Sequence, residues 1–417
     1  MVVSSTKEDS DGSGTDNDNV SNSGAVYVYK KNGGTWGTPI RLKSDNIDVN
    51  DGFGWQIALS ADGNTLAVGS PTEDSDASGV DNNNASSSGA VYIFKYTGGV
   101  WSAPTRLKSN NIEASDNFGY SVALNSDGTI LAVGANQEDS DGSGTDNNNV
   151  FNAGAVYVFE YTSAWGTPTR LKANNVGEHD GFGYSVALSG DGNTLVVGTD
   201  REDSDASGTD NNNAIDAGAV YVFKNTGTWG AATRLKADNA EADDRFGAAI
   251  SLSSDGNTLV VGADREGSDA IGVDNNNSLT SGAVYVFQYS GTWSAPTRLK
   301  ADNVGSVDRF GSYLSLSGDG TTLAVGAFLE DSDASGVDND NSSASGAAYV
   351  FRNTGGTWNV ITRLKADNIE SNDYFGKGVS LNGDGNILVI GADREDSDGS
   401  GADNNNVSKS GAVYVFE

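Results

Sequence analysis

Gly218-Ala-Val-Tyr-Val-Phe223 is one of seven near-copies of a six-residue stretch in this chain of 417 residues. The copies begin at Gly24, Gly89, Gly154, Gly218, Gly282, Gly346 and Gly411, in steps of 65, 65, 64, 64, 64 and 65 residues. Successive strand residues point to opposite faces, so Ala219, Tyr221 and Phe223 share one face and Val220 and Val222 the other. Both faces are apolar. A strand of this kind is covered on both sides, whereas the sheets of a sandwich carry one polar face.

The rest of the unit reads as three more strands. Phe182-Gly-Tyr-Ser-Val-Ala-Leu188 and Thr194-Leu-Val-Val-Gly198 are joined at Asp191-Gly192, where Gly supplies the positive φ of a tight hairpin. A long polar loop, Asp200 to Asp216, leads into Gly218–Phe223, and the segment around Trp229 and Thr233-Arg-Leu-Lys236 is the fourth strand. No stretch has helical period. Arg234 and Lys236 flank Leu235, and Pro39, Pro104, Pro168 and Pro296 fall near equivalent places; charges and Pro suit an exposed sheet edge. Four-stranded antiparallel sheets, buried between neighbours and repeated radially, describe an all-β fold, the β-propeller.

Residues 1–417 are read as a single propeller built from 64–65-residue repeats, with incomplete first and last blades. Second and third strands occur seven times, first and fourth strands six. Met1-Val-Val-Ser4 aligns with Leu131-Ala-Val-Gly134, so the chain starts on a second strand and ends on a third, at Phe416-Glu417. Seven blades is the preferred count; six blades with strand-swapped closure is the alternative. Open strand edges at both ends would suit self-association by strand pairing.

Composition narrows the function classes. Lys plus Arg number 25 against 57 Asp plus Glu, a formal charge of −32. That disfavours nucleic acid and anionic membrane, which need clustered basic residues, and favours cations or basic partners. Cys is absent and His179 is the one histidine, so disulfides, thiolate metal sites and a repeated imidazole site are excluded. No apolar run approaches the roughly 18 residues of a membrane span. The N-terminal residues lack the features of a secretory signal, so a surface protein of this kind is expected to be a processed chain or part of a longer one.

Phe118-Gly119 followed by Val133-Gly134-Ala135, and Phe246-Gly247 followed by Val261-Gly262-Ala263, resemble FG-GAP repeats. One copy, Gly69-Ser70-Pro71, keeps the proline of that motif. The resemblance implies the seven-bladed propeller of integrin α heads and of many bacterial surface proteins. In that family calcium sits in an Asp-rich hairpin between the first and second strands. Here the hairpin is reduced to Asp191-Gly192-Asn193-Thr194 and its equivalents, with a single carboxylate, so that site is not carried over.

Acidic residues cluster instead in the loop between the second and third strands. Glu138-Asp-Ser-Asp-Gly-Ser-Gly-Thr-Asp-Asn-Asn-Asn149 spaces carboxylates and a Gly much as a calcium loop does; calcium takes six to eight oxygens at about 2.3–2.6 Å. It lacks the position-5 Asp and the bidentate Glu of an EF-hand, and the same residues suit a plain solvated turn. Mutual repulsion among so many carboxylates tips the reading to calcium. The candidate ligands are Asp9, Asp11 and Asp16; Asp74, Asp76 and Asp81; Asp139, Asp141 and Asp146; Asp203, Asp205 and Asp210; Asp269 and Asp274; Asp331, Asp333 and Asp338; and Asp396, Asp398 and Asp403. Gly267 replaces the first Asp in the fifth copy, which is expected to bind most weakly.

Trp36, Trp101, Trp165, Trp229, Trp293 and Trp358 recur at the fourth strand, where they either stack on sugars or pack the outer layer. Asp51, Asp116, Asp180, Asp244, Asp308 and Asp373, two residues before each Phe-Gly, are expected to fix a turn by side chain-to-backbone bonds. No unit carries an exceptional cluster of the kind a catalytic centre needs, so the chain is expected not to be an enzyme. The combined expectation is a calcium-binding, extracellular or cell-surface propeller for adhesion or assembly, engaging a protein or glycan. A lectin-like propeller or a purely structural repeat segment are the alternatives.

Overall fold

The computed structural model describes residues 1–13, 17–76, 82–143, 147–207, 211–269, 275–333, 339–397 and 405–417. The chain is an all-β propeller of seven successive blades, with the four-stranded antiparallel blade as its unit. Among the described residues there is no helix, and hence none long and apolar enough to cross a membrane. The third blade shows the pattern: Phe118–Leu124, Ile130–Ala135, Ala155–Glu160 and Thr169–Leu171 pair antiparallel in chain order. The first blade, Val2–Ser5, Ala25–Val28 and Ile40–Leu42, lacks an inner strand. The last, Phe375–Leu381, Leu388–Ala392 and Ala412–Phe416, lacks an outer one. The preferred count of seven blades holds.

Two compact units divide the chain: Met1–Val197 with Val222–Thr233, and Gly198–Tyr221 with Arg234–Glu417. In the first unit, Val91 and Ile93 of the second blade cover Phe118, Val133, Tyr157 and Phe159 of the third. In the second unit, Val284 and Val286 of the fifth blade do the same for Phe310, Val325, Tyr349 and Phe351 of the sixth. The valine face of one sheet thus meets the aromatic face of the next, which is why the third strand carries no polar face. Within each aromatic face the Phe of Phe-Gly stands edge-on to the strand Tyr, at 5.5 Å for Phe118–Tyr157 and 5.3 Å for Phe310–Tyr349, the geometry the ring quadrupoles favour.

The glycines of the repeat have a packing cause. Gly119 and Gly311 adopt φ of 95° and 94°, and Gly119 sits in the bulge between Phe118 and Ser121. The carbonyl of each such glycine lies against the Val-Gly glycine of the preceding blade: Gly119 on Gly69, Gly183 on Gly134, Gly311 on Gly262. A Cβ there would enter a backbone oxygen. Gly282 combines both demands, with φ of 86° and the Phe310 carbonyl where its Cβ would fall. Gly282→Ala is therefore expected to cost about 2–5 kcal/mol, whereas Gly291→Ala, with φ of 95° but open space around it, should lose only about 1–2 kcal/mol. Denaturant melts of the two variants check this.

Candidate functional site

The glutamate that opens each acidic loop is not a solvated residue. Glu73, Glu138, Glu202, Glu266 and Glu330 are buried, and each holds the Lys and Arg of its own fourth strand. Glu138 accepts from Lys172 Nζ at 2.8 Å and from Arg170 at 3.0 Å; Glu202 does so from Lys236 at 2.8 Å and Arg234 at 2.9 Å. The Ser140 hydroxyl and main-chain N–H and the Asn111 amide also donate to Glu138, and Asn111 in turn accepts from the buried Tyr157 hydroxyl. The same Glu–Asn–Tyr chain joins Glu73, Asn46 and Tyr92, and Glu330, Asn303 and Tyr349. In the last copy Glu395 keeps Asn368 and Ser397.

This corrects one expectation from the sequence. Arg234, Lys236 and their equivalents are largely buried counter-ions rather than an exposed charged edge. The signal was present, since a Glu and an Arg-Leu-Lys of opposite sign recur at a fixed separation in every copy with a fourth strand. Burial pushes the Glu138 carboxyl up, yet Lys172 and Ser140 outweigh it and hold it below the usual range. Removing one partner of a buried pair strands the other charge, at about 3–5 kcal/mol. Glu138→Ala should lose stability of that size, and Glu138→Ala with Lys172→Met should recover part of it, as a double-mutant cycle in urea would measure.

The loop aspartates divide by role. The first Asp pins the far end of the loop: Asp139 Oδ1 accepts from Asn152 N–H at 2.7 Å, and Asp9, Asp74, Asp203, Asp331 and Asp396 bind Asn22, Ser87, Asp216, Ala344 and Lys409 alike. The pinned residues hold φ near 50–56°, a conformation L-residues otherwise avoid. Gly267 supplies no carboxylate at this place. The second Asp gathers two asparagine amides: Asn147 and Asn149 reach Asp141 at 3.1 and 3.0 Å, and the arrangement recurs at Asp11, Asp76, Asp205, Asp269 and Asp333. Bonds from Asn149 foremost, then from Ser143 and Asn147, hold the Asp141 carboxyl far below the ordinary range.

Asp16, Asp81, Asp146, Asp210, Asp274, Asp338, Asp398 and Asp403 lie outside the described residues. Among the described residues no three carboxylates or imidazoles gather as a metal cluster. The described carboxylates alone do not furnish the six to eight oxygens calcium takes.

The aspartates before Phe-Gly form the turn bonds expected of them: Asp116 accepts from Glu113 N–H at 3.3 Å and Asp244 from Glu241 N–H at 2.9 Å. Burial, aided by the Glu138 charge, pushes the Asp116 carboxyl up to about 8. Burial likewise raises Asp51 and Asp244 to about 7 and Asp373 to about 6. The folded state then keeps protons that the unfolded chain releases near the usual value of about 4, so stability falls as pH rises from about 4 to about 8. A melting temperature that drops between pH 5 and pH 8, with a shallower drop in Asp116→Asn, is the expected profile in thermal scans.

The tryptophans pack rather than project. Trp101, Trp165 and Trp293 are half-buried against Tyr96, Tyr161 and Tyr289, at ring separations of 5.2, 5.4 and 5.2 Å, and Trp358 is buried. The positions flanking the Phe-Gly turns behave differently, because they change from blade to blade. Trp55, Tyr120 and Tyr184 form an aromatic row at 5.6 and 5.2 Å in the first unit, where the second unit has Ala248, Ser312 and Lys377. Reading each repeat for an exceptional cluster missed this variation, since each change is a single residue.

The FG-GAP repeat family model matches residues 36–94, 101–159, 165–223, 229–287, 293–351 and 358–416. No curated protein matches the sequence. Among solved structures the chain is similar to the periplasmic gluconolactonase of Pseudomonas aeruginosa, with a TM-score of 0.51 at 15% identity over 94% of this chain and 95% of that one. Hydrazine synthase of Kuenenia stuttgartiensis is similar at a TM-score of 0.47 and 16% identity, over 84% of this chain and 76% of that one. The gluconolactonase is by its name an enzyme on this fold, which overturns the expectation that a chain of this architecture is not one. The fold carries catalysts, so internal repetition is no ground for excluding catalysis. Six matches in register, with the Phe-Gly and Val-Gly glycines meeting at backbone contact, make this protein a member of the FG-GAP repeat family.

Proposed function

We propose that the chain is a binding module at the cell surface or in another extracytoplasmic space, used for adhesion or assembly, and that its acidic loops take up calcium. One observation carries the binding part: the Phe-Gly and third-strand residues recur from copy to copy, while one exposed loop position three residues before the third-strand Gly changes. Phe151, Ile215 and Leu279 occupy one loop position in three consecutive copies and are exposed, while Ser21, Ser86, Ser343 and Ser408 stand there in the others. Residues freed from packing are where a scaffold gains recognition.

Support for calcium is a matter of donor chemistry. In six loops one carboxylate, such as Asp141, lies within hydrogen-bond reach of two asparagine amides. Rotating an amide exchanges its donor for an acceptor oxygen, and another Asp stands a few residues along the sequence. Saturation a hundredfold above the dissociation constant would add about 2.7 kcal/mol per independent site.

Calcium titration of chelator-treated protein tests both parts. The expected result is several ions bound per chain, a higher melting temperature than in chelator, and one ion fewer in Asp141→Asn. Beads coated with the chain should cluster, or capture glycans on an array, in calcium and not in chelator. An unshifted melting temperature removes calcium from the proposal; beads inert in both conditions remove adhesion.

A further inference from the structure

Of the six arginines outside the Arg-Leu-Lys segments, five, Arg201, Arg245, Arg265, Arg309 and Arg394, fall either just before a Phe-Gly turn or just after a second strand. We propose that Arg245, Arg265 and Arg309, all in the second unit, form a binding site for an oxyanion: the carboxylate, sulfate or phosphate group of an acidic ligand. None of the candidate calcium ligands belongs to this site.

Its geometry is built from two consecutive blades. Arg309, before the sixth blade's Phe-Gly, pairs with Asp264 at 2.9 Å, and the Ser312 hydroxyl donates to the same Asp264 oxygen at 3.3 Å. Arg245, before the fifth blade's Phe-Gly, faces Asp200 at 3.6 Å, a separation without a hydrogen bond. Asp200 is fully buried, and neither of its oxygens has a hydrogen-bond partner among the described residues. Arg265 follows Asp264 in the chain, and its main-chain N–H donates to the Asp244 carbonyl at 3.4 Å, next to Arg245.

The donors outnumber their acceptors. The Nε groups of Arg245, Arg265 and Arg309 are all shielded from water and all lack an acceptor among the described residues. Buried donors of this kind are rare in folded proteins and costly when left unmet. Arg394, the seventh-blade counterpart of Arg265, lies over the Tyr374 ring at 4.2 Å and donates to its hydroxyl at 3.0 Å. Arg265 has Arg245 in place of that tyrosine and forms no side-chain hydrogen bond or ion pair among the described residues. Burial lowers its pKa, and the charges of Arg245 and Arg309 lower it further while Asp264 and Asp243 act the other way. Like charges held together in a chain of net charge −32 are relieved by an anion, and a tetrahedral or planar oxyanion presents the several lone pairs that guanidinium forks bind best.

Calorimetric titration of the full chain with sodium sulfate, inorganic phosphate and sodium glucuronate, in chloride buffer at constant ionic strength, tests the site. At least one probe should bind saturably at one per chain, and the probe that binds identifies the oxyanion. Arg265→Gln should weaken it by about tenfold or more, the size of a lost charge-assisted hydrogen bond, with an unchanged melting temperature because the Arg265 side chain holds no hydrogen-bond or ion-pair partner among the described residues. Arg352→Gln, an arginine on a third strand elsewhere, should leave the affinity as it was. The proposal falls if none of the three probes binds wild-type protein, if Arg265→Gln binds as well as wild type, or if Arg352→Gln weakens binding equally.

Discussion

A glutamate repeated in every blade, and buried in all but the first, is the constraint that the loops, outer strands and connecting segments share. Burying a carboxylate is expensive unless opposite charge and hydrogen bonds replace its water. At Glu138 those replacements come from three directions: Lys172 and Arg170 on the outer strand, Ser140 in the acidic loop, and Asn111 on the segment entering the blade. None of these elements has a large apolar face of its own. The outer strand is three residues long in most blades, and the loop is almost wholly polar. Each is placed by supplying one part of a set that is costly to leave incomplete, which makes the ion cluster a device for specifying position more than for adding net stability.

The glycines do the corresponding work between sheets. A Phe-Gly carbonyl that touches the Val-Gly glycine of the preceding blade brings two backbones as close as side chain-free residues allow. The Phe beside it closes the same gap from the core side, edge-on to Tyr157 or its equivalents. The family motif is thus a statement about distance between neighbouring sheets. It carries no chemistry of its own, which is why family membership fixes the architecture and leaves the ligand open.

Much of this was legible in the sequence, because the decisive features are periodic. Two apolar faces on Gly218–Phe223 and the Asp-Gly hairpins follow from period and turn chemistry alone, and the sheets confirm them. The charges were harder to read. A strand with Arg234 and Lys236 around Leu235 looks solvent-facing when only its own residues are considered. Its buried partner Glu202 is 34 residues away from Lys236 and sits in a run of acids that themselves look like a solvated loop. Asp139 and Asp141 are adjacent in type and spacing, yet one holds a backbone N–H and the other holds amides. Those roles depend on where the chain returns, and composition does not encode that.

Repetition also sets where new function can arise. When every complete blade needs the same Glu, Lys, Arg, Asn, Tyr, Phe and Gly, substitutions at those positions disrupt a shared geometry and are held in check. Positions such as 245, 265 and 309 lie outside that shared set, so they can differ from copy to copy. Arg394 on Tyr374 in one blade, and Arg265 beside Arg245 in another, show the same frame carrying a closed pair in one place and open donors in the next. In such a chain the site is to be sought at the few places where near-identical copies disagree.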